Sequence, residues 1–479
     1  MSVNRNILSL AVPSILANIT VPLVGMVDLA VAGHMDVSSS GVSSGATLIG
    51  GVAIGTMLFD LLYWNFGFLR IGTGGLTAQA CGRGDMGECA RILSRSVGIA
   101  LACAFALIAM QWLFLKAAFL VVECTPEVQA LAERYFYIRI WAAPATLSLM
   151  AFKGWFIGMQ DGVSPMAADL TVNILNAVSS AVLALGLRVG DFHYEGMGFQ
   201  GIAAGTVAAQ YTGLVAAVSI VFMKYRRRVF GGTAMRVLRT AFKGGETRKF
   251  FSMNTDLFIR SMCFIGIYIG FTMLAARQGD LILACGSIIM KIMMLFSYFT
   301  DGFAYAGEAL SGRYIGERNR EAFRRTVRYV FIWSMGIAAL FMVLYAAAGT
   351  PLLKMMTDDA DVIGLGQEYL PWLLVMPLVG CAAFTWDGIY VGATASGSMR
   401  NAGLLSLAGF FAAYFLGLAF SGGPETAVGM ERTGVSAYGM TVLHILLAAY
   451  FVHLLVRTVY MSVRYRPVIS GRFQGQSAG

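Results

Sequence analysis

The chain is a series of long apolar runs separated by short polar segments. A helix needs about 20 apolar residues to cross a bilayer, and twelve runs are long enough. They lack the regular alternation of barrel strands, so they predict helices, which satisfy their own backbone hydrogen bonds in lipid. The predicted spans are 7–33, 45–70, 93–115, 132–158, 165–187, 197–223, 250–275, 281–308, 327–348, 368–393, 402–420 and 435–459.

Composition supports a membrane protein rather than a large soluble one. Of the 479 residues, 57% are hydrophobic and only 13% are charged, against about 25% charged residues in a typical soluble domain. The net charge of +9 comes from Lys and Arg in short blocks between the apolar runs, which favours membrane orientation over nucleic-acid binding. The seven cysteines have no metal-ligand spacing, so neither a metal site nor a cofactor is predicted.

The distribution of Lys and Arg also predicts the orientation. With the amino terminus in the cytoplasm, most of these residues fall on the cytoplasmic side, and the densest block is 224–249. Both termini are then cytoplasmic, as in a multi-pass protein of a bacterial cytoplasmic (inner) membrane. The predicted organisation is an N-terminal six-helix lobe at 1–223, a basic cytoplasmic connector at 224–249, a C-terminal six-helix lobe at 250–460 and a cytoplasmic tail at 461–479.

The two predicted lobes repeat each other in sequence. Residues 67–72 match 302–307, and residues 153–158 match 387–392, so that partners lie 234 or 235 positions apart. Six helices per half is an even number, so both halves enter the membrane from the same side. This predicts two six-helix bundles in an all-α membrane protein, related by a pseudo-twofold axis along the membrane normal, with a central cleft and alternating access.

Several segments resemble the MATE family, which exports multidrug and toxic compounds. Leu10–Asn18 and Val27–His34 resemble the first helix of that family. Gly67–Ala80 is similar to the second-helix signature of its DinF-like branch, and Phe384–Thr394 resembles the tenth helix of the same branch. The likeness runs from about residue 7 to about residue 460, and the motifs are specific when taken together.

The resemblance implies export of small organic compounds, often cationic and amphipathic, driven by inward flow of H⁺ or Na⁺. It places Asp28 at the position of the family's functional first-helix acid. Asn173 and Asn176 in the fifth span match polar positions of related transporters, some of which carry an Asp four residues after the second Asn. This chain has Ser180 there, which puts a carboxylate pair and a Na⁺ site in doubt and favours H⁺ as the coupling ion.

Ionisable residues inside a membrane are costly and are therefore candidates for function. Asp28 follows Pro22, which is expected to kink the first helix. A carboxylate there can bind a proton, Na⁺ or a cationic substrate in competition, which is a simple basis for antiport; its alternative role is to hold an irregular turn. Asp60 and Asp387 are further candidates for ion coupling or substrate binding, with ion pairing, packing or gating as alternatives.

Other candidates are weaker. Asp256 and Arg260 lie four residues apart, so they are expected to pair on one helix face as a gate or a structural pair. Met57, Tyr63 and Trp64 lie near Asp60 and are candidates for the lining of an apolar substrate pocket.

The sequence also bears on competing functions. The chain has no phosphate-binding Gly-rich loop and no His-Glu-x-x-His sequence, so no catalytic residue is predicted and a membrane-embedded enzyme is disfavoured. A flippase for lipid-linked substrates is the first alternative, but it would need more mid-membrane Arg residues. Duplicated halves disfavour a channel. The expected partners are a small organic substrate and membrane lipid, not nucleic acid, and a monomer suffices.

Overall fold

The computed structural model describes most of the chain, and its described residues are almost entirely helical. Those residues are 3–35, 44–120, 122, 124–189, 192–230, 241–242, 245–421 and 437–474. Within the predicted connector, residues 231–240, 243 and 244 lie outside the described residues, and so do residues 475–479 of the predicted tail.

Among its described residues, the first part of the chain contains eight α-helices and one short hairpin. The helices are α1 (Val3–Gly33), α2 (Gly45–Trp64), α3 (Gly67–Gly82), α4 (Met86–Phe119), α5 (Pro126–Arg139), α6 (Ala143–Gly158), α7 (Val163–Leu185) and α8 (Phe199–Ile220). Strands β1 (Leu187–Val189) and β2 (Phe192–Tyr194) pair antiparallel between α7 and α8. A π-helical stretch, Val221–Phe230, continues α8.

The second part of the chain is entirely helical where it is described. Its helices are α9 (Gly245–Ala276), α10 (Asp280–Gly316), α11 (Arg320–Met356), α12 (Ala360–Glu368), α13 (Leu370–Gly392), α14 (Ser396–Phe420) and α15 (Ala437–Gln474). The helix α15 continues through most of the segment that was expected to be a tail.

Twelve helical segments of the described residues are long and apolar enough to span a membrane. Two of them join consecutive helices, α2 with α3 and α5 with α6; α12 is too short to count. The prediction of a twelve-helix membrane protein is confirmed. Several helices extend further than predicted, such as α10 to Gly316 instead of residue 308. The apolar run marks only the part of a helix that lipid surrounds, so polar turns beyond the bilayer escape it.

The chain separates into two compact units. One unit contains Leu16–Phe250, and the other contains Met1–Ile15 together with Phe251–Gly479. Helix α1 therefore contributes its first residues to one unit and Asp28 to the other. Each unit has its own buried apolar core: one includes Trp155 and Phe156, and the other includes Phe296 and Phe341.

The sequence repeat is also a repeat of backbone structure. Gly84 and Arg318 both have left-handed backbone angles, and the next residues, Asp85 and Asn319, cap α4 and α11 with their side chains. Gly84 and Asp85 lie 234 positions before Arg318 and Asn319, respectively. The sequence match of 67–72 with 302–307 uses 235 positions, which is one too many at Arg70, because Gly154 packs on the Arg70 carbonyl as Gly388 packs on that of Ala304.

Candidate functional site

The carboxylate of Asp28 lies inside the Leu16–Phe250 unit. Its residue is only 2% exposed, and it lies near the carboxyl end of a predominantly apolar helix. The hydroxyl groups of Ser180 on α7 and Tyr135 on α5 are in hydrogen-bonding position to it. Its Oδ1 atom has no hydrogen-bond partner among the described residues. Asp28 is therefore a buried acid with unused hydrogen-bonding capacity, an arrangement that costs free energy unless a bound cation or proton compensates.

A break between two helices positions the charge that faces Asp28. Helix α5 ends at Arg139, and the 3₁₀ turn Ile140–Ala142 connects it to α6. Pro144 lies in the first turn of α6, where the missing N–H would have had no intrahelical partner. The interruption leaves Arg139 at a helix end inside a membrane span.

Arg139 is held by hydroxyl groups and aromatic rings. Its Nη1 atom donates to Tyr135 Oη at 2.8 Å and to Thr56 Oγ1 at 3.4 Å. The guanidinium carbon lies 4.8 Å from the centre of the Phe59 ring, within cation–π range. Arg139 also interacts electrostatically with Asp28 and with Asp60. The site therefore combines two acids with one base.

The Ser180 hydroxyl group lies between Asn176 and Asp28. Asn176 is 1% exposed and donates from Nδ2 to Thr206 Oγ1 at 3.0 Å. Its Oδ1 atom accepts from Ser180 Oγ at 3.3 Å, and the same hydroxyl group faces Asp28. Ser180 thus contributes a neutral hydroxyl group at this position and not a second acid.

Asn173 lies on α7, about one helical turn before Asn176. Its Nδ2 atom donates to Thr20 Oγ1 at 2.5 Å. Thr20 precedes Asp28 by two helical turns, which is about 12 Å along α1. Asn173 therefore connects α7 to α1 but does not contact the carboxylate of Asp28, unlike the Ser180 hydroxyl group.

The candidates on α2 fall into two groups. Met57, Asp60 and Trp64 are exposed and share one face, since their spacing is three and four residues. Tyr63 points elsewhere: its ring packs against Phe59 with 5.4 Å between centroids, and it interacts electrostatically with Arg139. The face of Met57, Asp60 and Trp64 combines an apolar, an acidic and an aromatic side chain.

Asp387 belongs to the other unit and has two basic neighbours. Its Oδ2 atom lies 2.5 Å from Nη2 of Arg260 on α9 and 3.7 Å from Nη2 of Arg457 on α15. The three side chains are 16%, 8% and 4% exposed, respectively. Asp387 is thus surrounded by positive charge within a membrane span.

Asp256 and Arg260, the predicted pair, each have an ion-pair partner on another helix. Asp256 Oδ1 pairs with Arg400 Nη1 at 2.8 Å, and its Oδ2 atom accepts from Ser396 Oγ at 2.8 Å. Arg260 pairs with Asp387. A spacing of four residues allows a contact on one helix. Both side chains here reach neighbouring helices, so each charge is paired with an opposite charge on another helix.

Two site residues were not singled out from the sequence. Arg139 was visible only as a base inside a span, and nothing in the spacing connected it to Asp28. Arg457 lies at the end of the last predicted span and was counted among the cytoplasmic Lys and Arg residues, but α15 continues past it and buries it. The usable signal was the cost of any charge at membrane depth.

A third polar cluster lies in the loop after α6. The Asp161 carboxylate accepts from Lys224 Nζ at 2.6 Å, from Tyr225 Oη at 2.7 Å and from Ser164 Oγ at 2.5 Å. Burial raises the pKa of Asp161, but these hydrogen bonds outweigh burial and hold the pKa below its ordinary value. Asp161 is therefore a carboxylate that is charged at neutral pH and that anchors this loop to the π-helical stretch after α8.

The described residues contain no group of three His, Cys, Asp or Glu side chains that could hold a metal ion. The chemistry of the Asp28 site is therefore that of one buried carboxylate, hydroxyl groups, amides and one guanidinium. Such a set can bind and release a proton or hold a small polar molecule.

Comparison with known proteins gives one consistent result. The MatE family matches residues 13–182 and 257–415. DNA damage-inducible protein F of Escherichia coli (strain K12) is 33% identical over 401 residues, which is 84% of this chain and 83% of that protein. Protein DETOXIFICATION 44, chloroplastic, of Arabidopsis thaliana is 25% identical over 436 residues, which is 86% of this chain and 76% of that protein.

A solved structure shares the fold at low sequence identity. A MATE crystal structure in the bent conformation superimposes with a TM-score of 0.79 at 14% identity, covering 98% of this chain and 97% of that one. The family match, the bacterial relative and the twelve spans agree with each other. The chain is a multi-pass inner-membrane transporter, not an enzyme, and it belongs to the MatE family of multidrug and toxic compound extrusion proteins.

Proposed function

We propose that this protein exports cationic, amphipathic organic compounds in exchange for H⁺ by alternating access. The observation that carries the proposal is the buried Asp28 carboxylate, whose Oδ1 atom has no hydrogen-bond partner among the described residues. A proton from outside would neutralise this acid, and a cation from inside would compensate it. Because both compete for one group, movement of one can drive movement of the other.

The neighbours of Asp28 favour H⁺ over Na⁺. Sodium is a hard cation that needs several oxygen ligands and has no affinity for a guanidinium group. Here Ser180 supplies a neutral hydroxyl group, and the positive charge of Arg139 opposes a second cation. A proton binds directly to a carboxylate oxygen and needs no coordination shell. The coupling ion of this proposal is therefore H⁺.

The exposed face of α2 supports the substrate class. Asp60 supplies a negative charge on that face, and Met57 and Trp64 supply apolar and aromatic surface beside it. Aromatic rings attract organic cations, and flexible Met side chains adapt to different shapes. We assign this face to the first contact with an amphipathic cation. Because Asp28 and this face belong to the same chain, a monomer is sufficient for transport.

The test is counterflow of ethidium in proteoliposomes. An imposed pH gradient is compared with an imposed Na⁺ gradient, for the native chain and for Asp28→Asn. Transport driven by the pH gradient and lost in Asp28→Asn supports the proposal. The matched control is Asp169→Asn, because Asp169 is also a membrane acid of this unit but pairs with Lys153 at 2.7 Å.

Two results would count against the proposal. Full gradient-driven transport in Asp28→Asn would make Asp28 structural and move coupling to Asp60 or Asp387. If neither gradient moved any of a panel of organic cations, the proposal that the substrates are organic cations would be rejected. An assay of lipid flipping would then be the next experiment.

A further inference from the structure

The unit that contains Phe251–Gly479 holds a buried cluster with unequal charges. Arg260, Asp387 and Arg457 come from three different helices and meet around Asp387 Oδ2. Two guanidinium groups face one carboxylate, so the cluster carries an excess positive charge. The nearby pair of Asp256 and Arg400 is matched one to one and does not supply the missing negative charge.

Arg457 is the residue in which the imbalance is concentrated. Its side chain is 4% exposed, and its Nε and Nη2 atoms have no hydrogen-bond partner among the described residues. The ion pair with Asp387 is long at 3.7 Å, whereas Arg260 makes the short one. A buried guanidinium group with unused donors is costly, and native structures compensate such groups with an anion.

A second unsatisfied group lies beside Arg457. His453 precedes it by one helical turn on α15, is 5% exposed and leaves Nδ1 without a partner among the described residues. Side chains four residues apart on a helix share one face. Arg457 and His453 therefore lie on one face of α15, and the two side chains interact electrostatically.

Two aromatic rings fix the guanidinium groups without neutralising them. The Phe264 ring centre lies 4.7 Å from the guanidinium carbon of Arg260 and 5.0 Å from that of Arg457. The Phe384 ring lies 5.2 Å from Arg457. Cation–π contacts orient a guanidinium group but leave its in-plane N–H donors available. The same rings offer apolar surface next to those donors.

We propose that this cluster, formed by Arg260, Asp387, Arg457 and His453, is a binding site for the oxyanion headgroup of an amphipathic molecule. A carboxylate or a phosphate would accept from Nε and Nη2 of Arg457, in the two-point geometry that guanidinium groups favour. Its apolar body would lie against the phenylalanine rings. The site goes beyond the proposed cation export, because it involves neither Asp28 nor the coupling ion.

The test measures equilibrium binding of phenylbutyrate to the purified full chain in a nonionic detergent. Its neutral amide, phenylbutanamide, has nearly the same shape and is the ligand control. We expect the acid to bind at least about tenfold more tightly than the amide, since a charge-assisted bidentate contact is about twice as strong as a neutral one. Equal binding of the two would overturn the proposal.

Variants locate the binding. Arg457→Gln should weaken phenylbutyrate binding by about tenfold or more, and Asp387→Asn should strengthen it by a similar factor, because a competing carboxylate is removed. Arg400→Gln is the matched control, since Arg400 is a membrane-helix arginine with its own acid. Unchanged binding in Arg457→Gln, or weaker binding in Asp387→Asn, would overturn the site. The gain in Asp387→Asn keeps the test valid if Arg457→Gln does not fold.

One further measurement distinguishes a lipid phosphate from an organic acid as the bound anion. A second distinguishes failure of the oxyanion site from failure of proton coupling at Asp28. In nanodiscs, competition by phosphatidylglycerol but not by phosphatidylcholine assigns the site to a lipid phosphate, and no competition assigns it to an organic acid. Either result supports an oxyanion site. Asp28→Asn should bind phenylbutyrate like the native chain, so failure of proton coupling and failure of this site are distinguishable.

Discussion

Gly154 packs directly against the backbone carbonyl of Arg70, where α6 crosses α3, and a Cβ atom at Gly154 would overlap that oxygen. Gly388 packs in the same way against the carbonyl of Ala304, where α13 crosses α10. Both partners of the second contact lie 234 residues after those of the first. The internal repeat is therefore a repeated helix crossing, and only glycine permits the close approach of the two backbones.

Alanine at either crossing should destabilise the protein. A backbone carbonyl cannot rotate away, so Gly154→Ala and Gly388→Ala must separate the helices, at a cost of about 1–3 kcal/mol each. Thermal unfolding of the purified protein in detergent measures the loss. Gly336→Ala is the matched control, because nothing lies within 4 Å of its Cβ position. There alanine should leave stability unchanged or raise it by up to about 1 kcal/mol. Equal effects at all three positions would contradict the repeated crossing.

The fold was predictable because it depends on properties that sequence displays directly. Apolar runs mark spans, and the repeated Gly-x-x-x-Gly spacing of 154–158 and 388–392 marks the crossings. The alignment of the two repeats could not be fixed without the structure. The sequences allow Gly67 to be matched with Gly302, yet the contacts at Arg70 and Ala304 show that this match is shifted by one residue. Residue types alone cannot tell which glycine faces a neighbouring backbone.

The site was predictable only in part, because its partners are distant in sequence. Asp28 stood out as a charge in an apolar helix, and Asn176 as an amide in another. Their connection through Ser180, and the approach of Arg139 from a helix end, depend on how four helices pack. The same holds for Asp387 and Arg457, which are 70 residues apart. The pairing predicted within one helix for Asp256 and Arg260 does not disclose the ion-pair partners that both side chains have on other helices.

Asp161→Asn should lower stability in a pH-dependent way. The folded pKa of Asp161 lies below its ordinary value of 3.8, so its carboxylate stabilises the fold fully above that pH. The contribution is lost as the pH falls through the folded pKa. Above pH 5 the substitution should cost about 1–3 kcal/mol, mostly through Ser164 and Tyr225, since Lys224 is half exposed.

The measurement is the unfolding temperature of the native chain and Asp161→Asn between pH 3 and pH 7. The difference should be constant from about pH 5 upwards and narrow below the ordinary value of 3.8. Asp358→Asn is a suitable control, because Asp358 is exposed and lies in the loop after α11. A difference that grows as the pH falls would contradict the charged anchor.

Arg139→Gln should strengthen binding of organic cations. The guanidinium group of Arg139 interacts with both Asp28 and Asp60, so its removal leaves two acids without the charge that opposes a second cation. We expect the KM for ethidium counterflow to fall by about tenfold, which corresponds to about 1.4 kcal/mol. Arg139→Lys keeps the charge and should remain close to the native value. A higher KM in Arg139→Gln would show that Arg139 supports the cation site instead of opposing it.

Ser180→Asp should make transport responsive to sodium. The Ser180 hydroxyl group faces Asp28 and bonds to Asn176 Oδ1 at 3.3 Å. A carboxylate there would place four carboxylate oxygens and one amide oxygen around a common point, the kind of oxygen-rich set that hard cations prefer. The added charge would also offset Arg139. Ethidium counterflow under an imposed Na⁺ gradient, which we expect to be inactive in the native chain, should become measurable in this variant. Ser180→Asn has nearly the same shape without the charge and should not respond to Na⁺. If Ser180→Asp folds but still responds only to the pH gradient, the residue at this position does not decide the coupling ion, and the preference for H⁺ must come from Arg139.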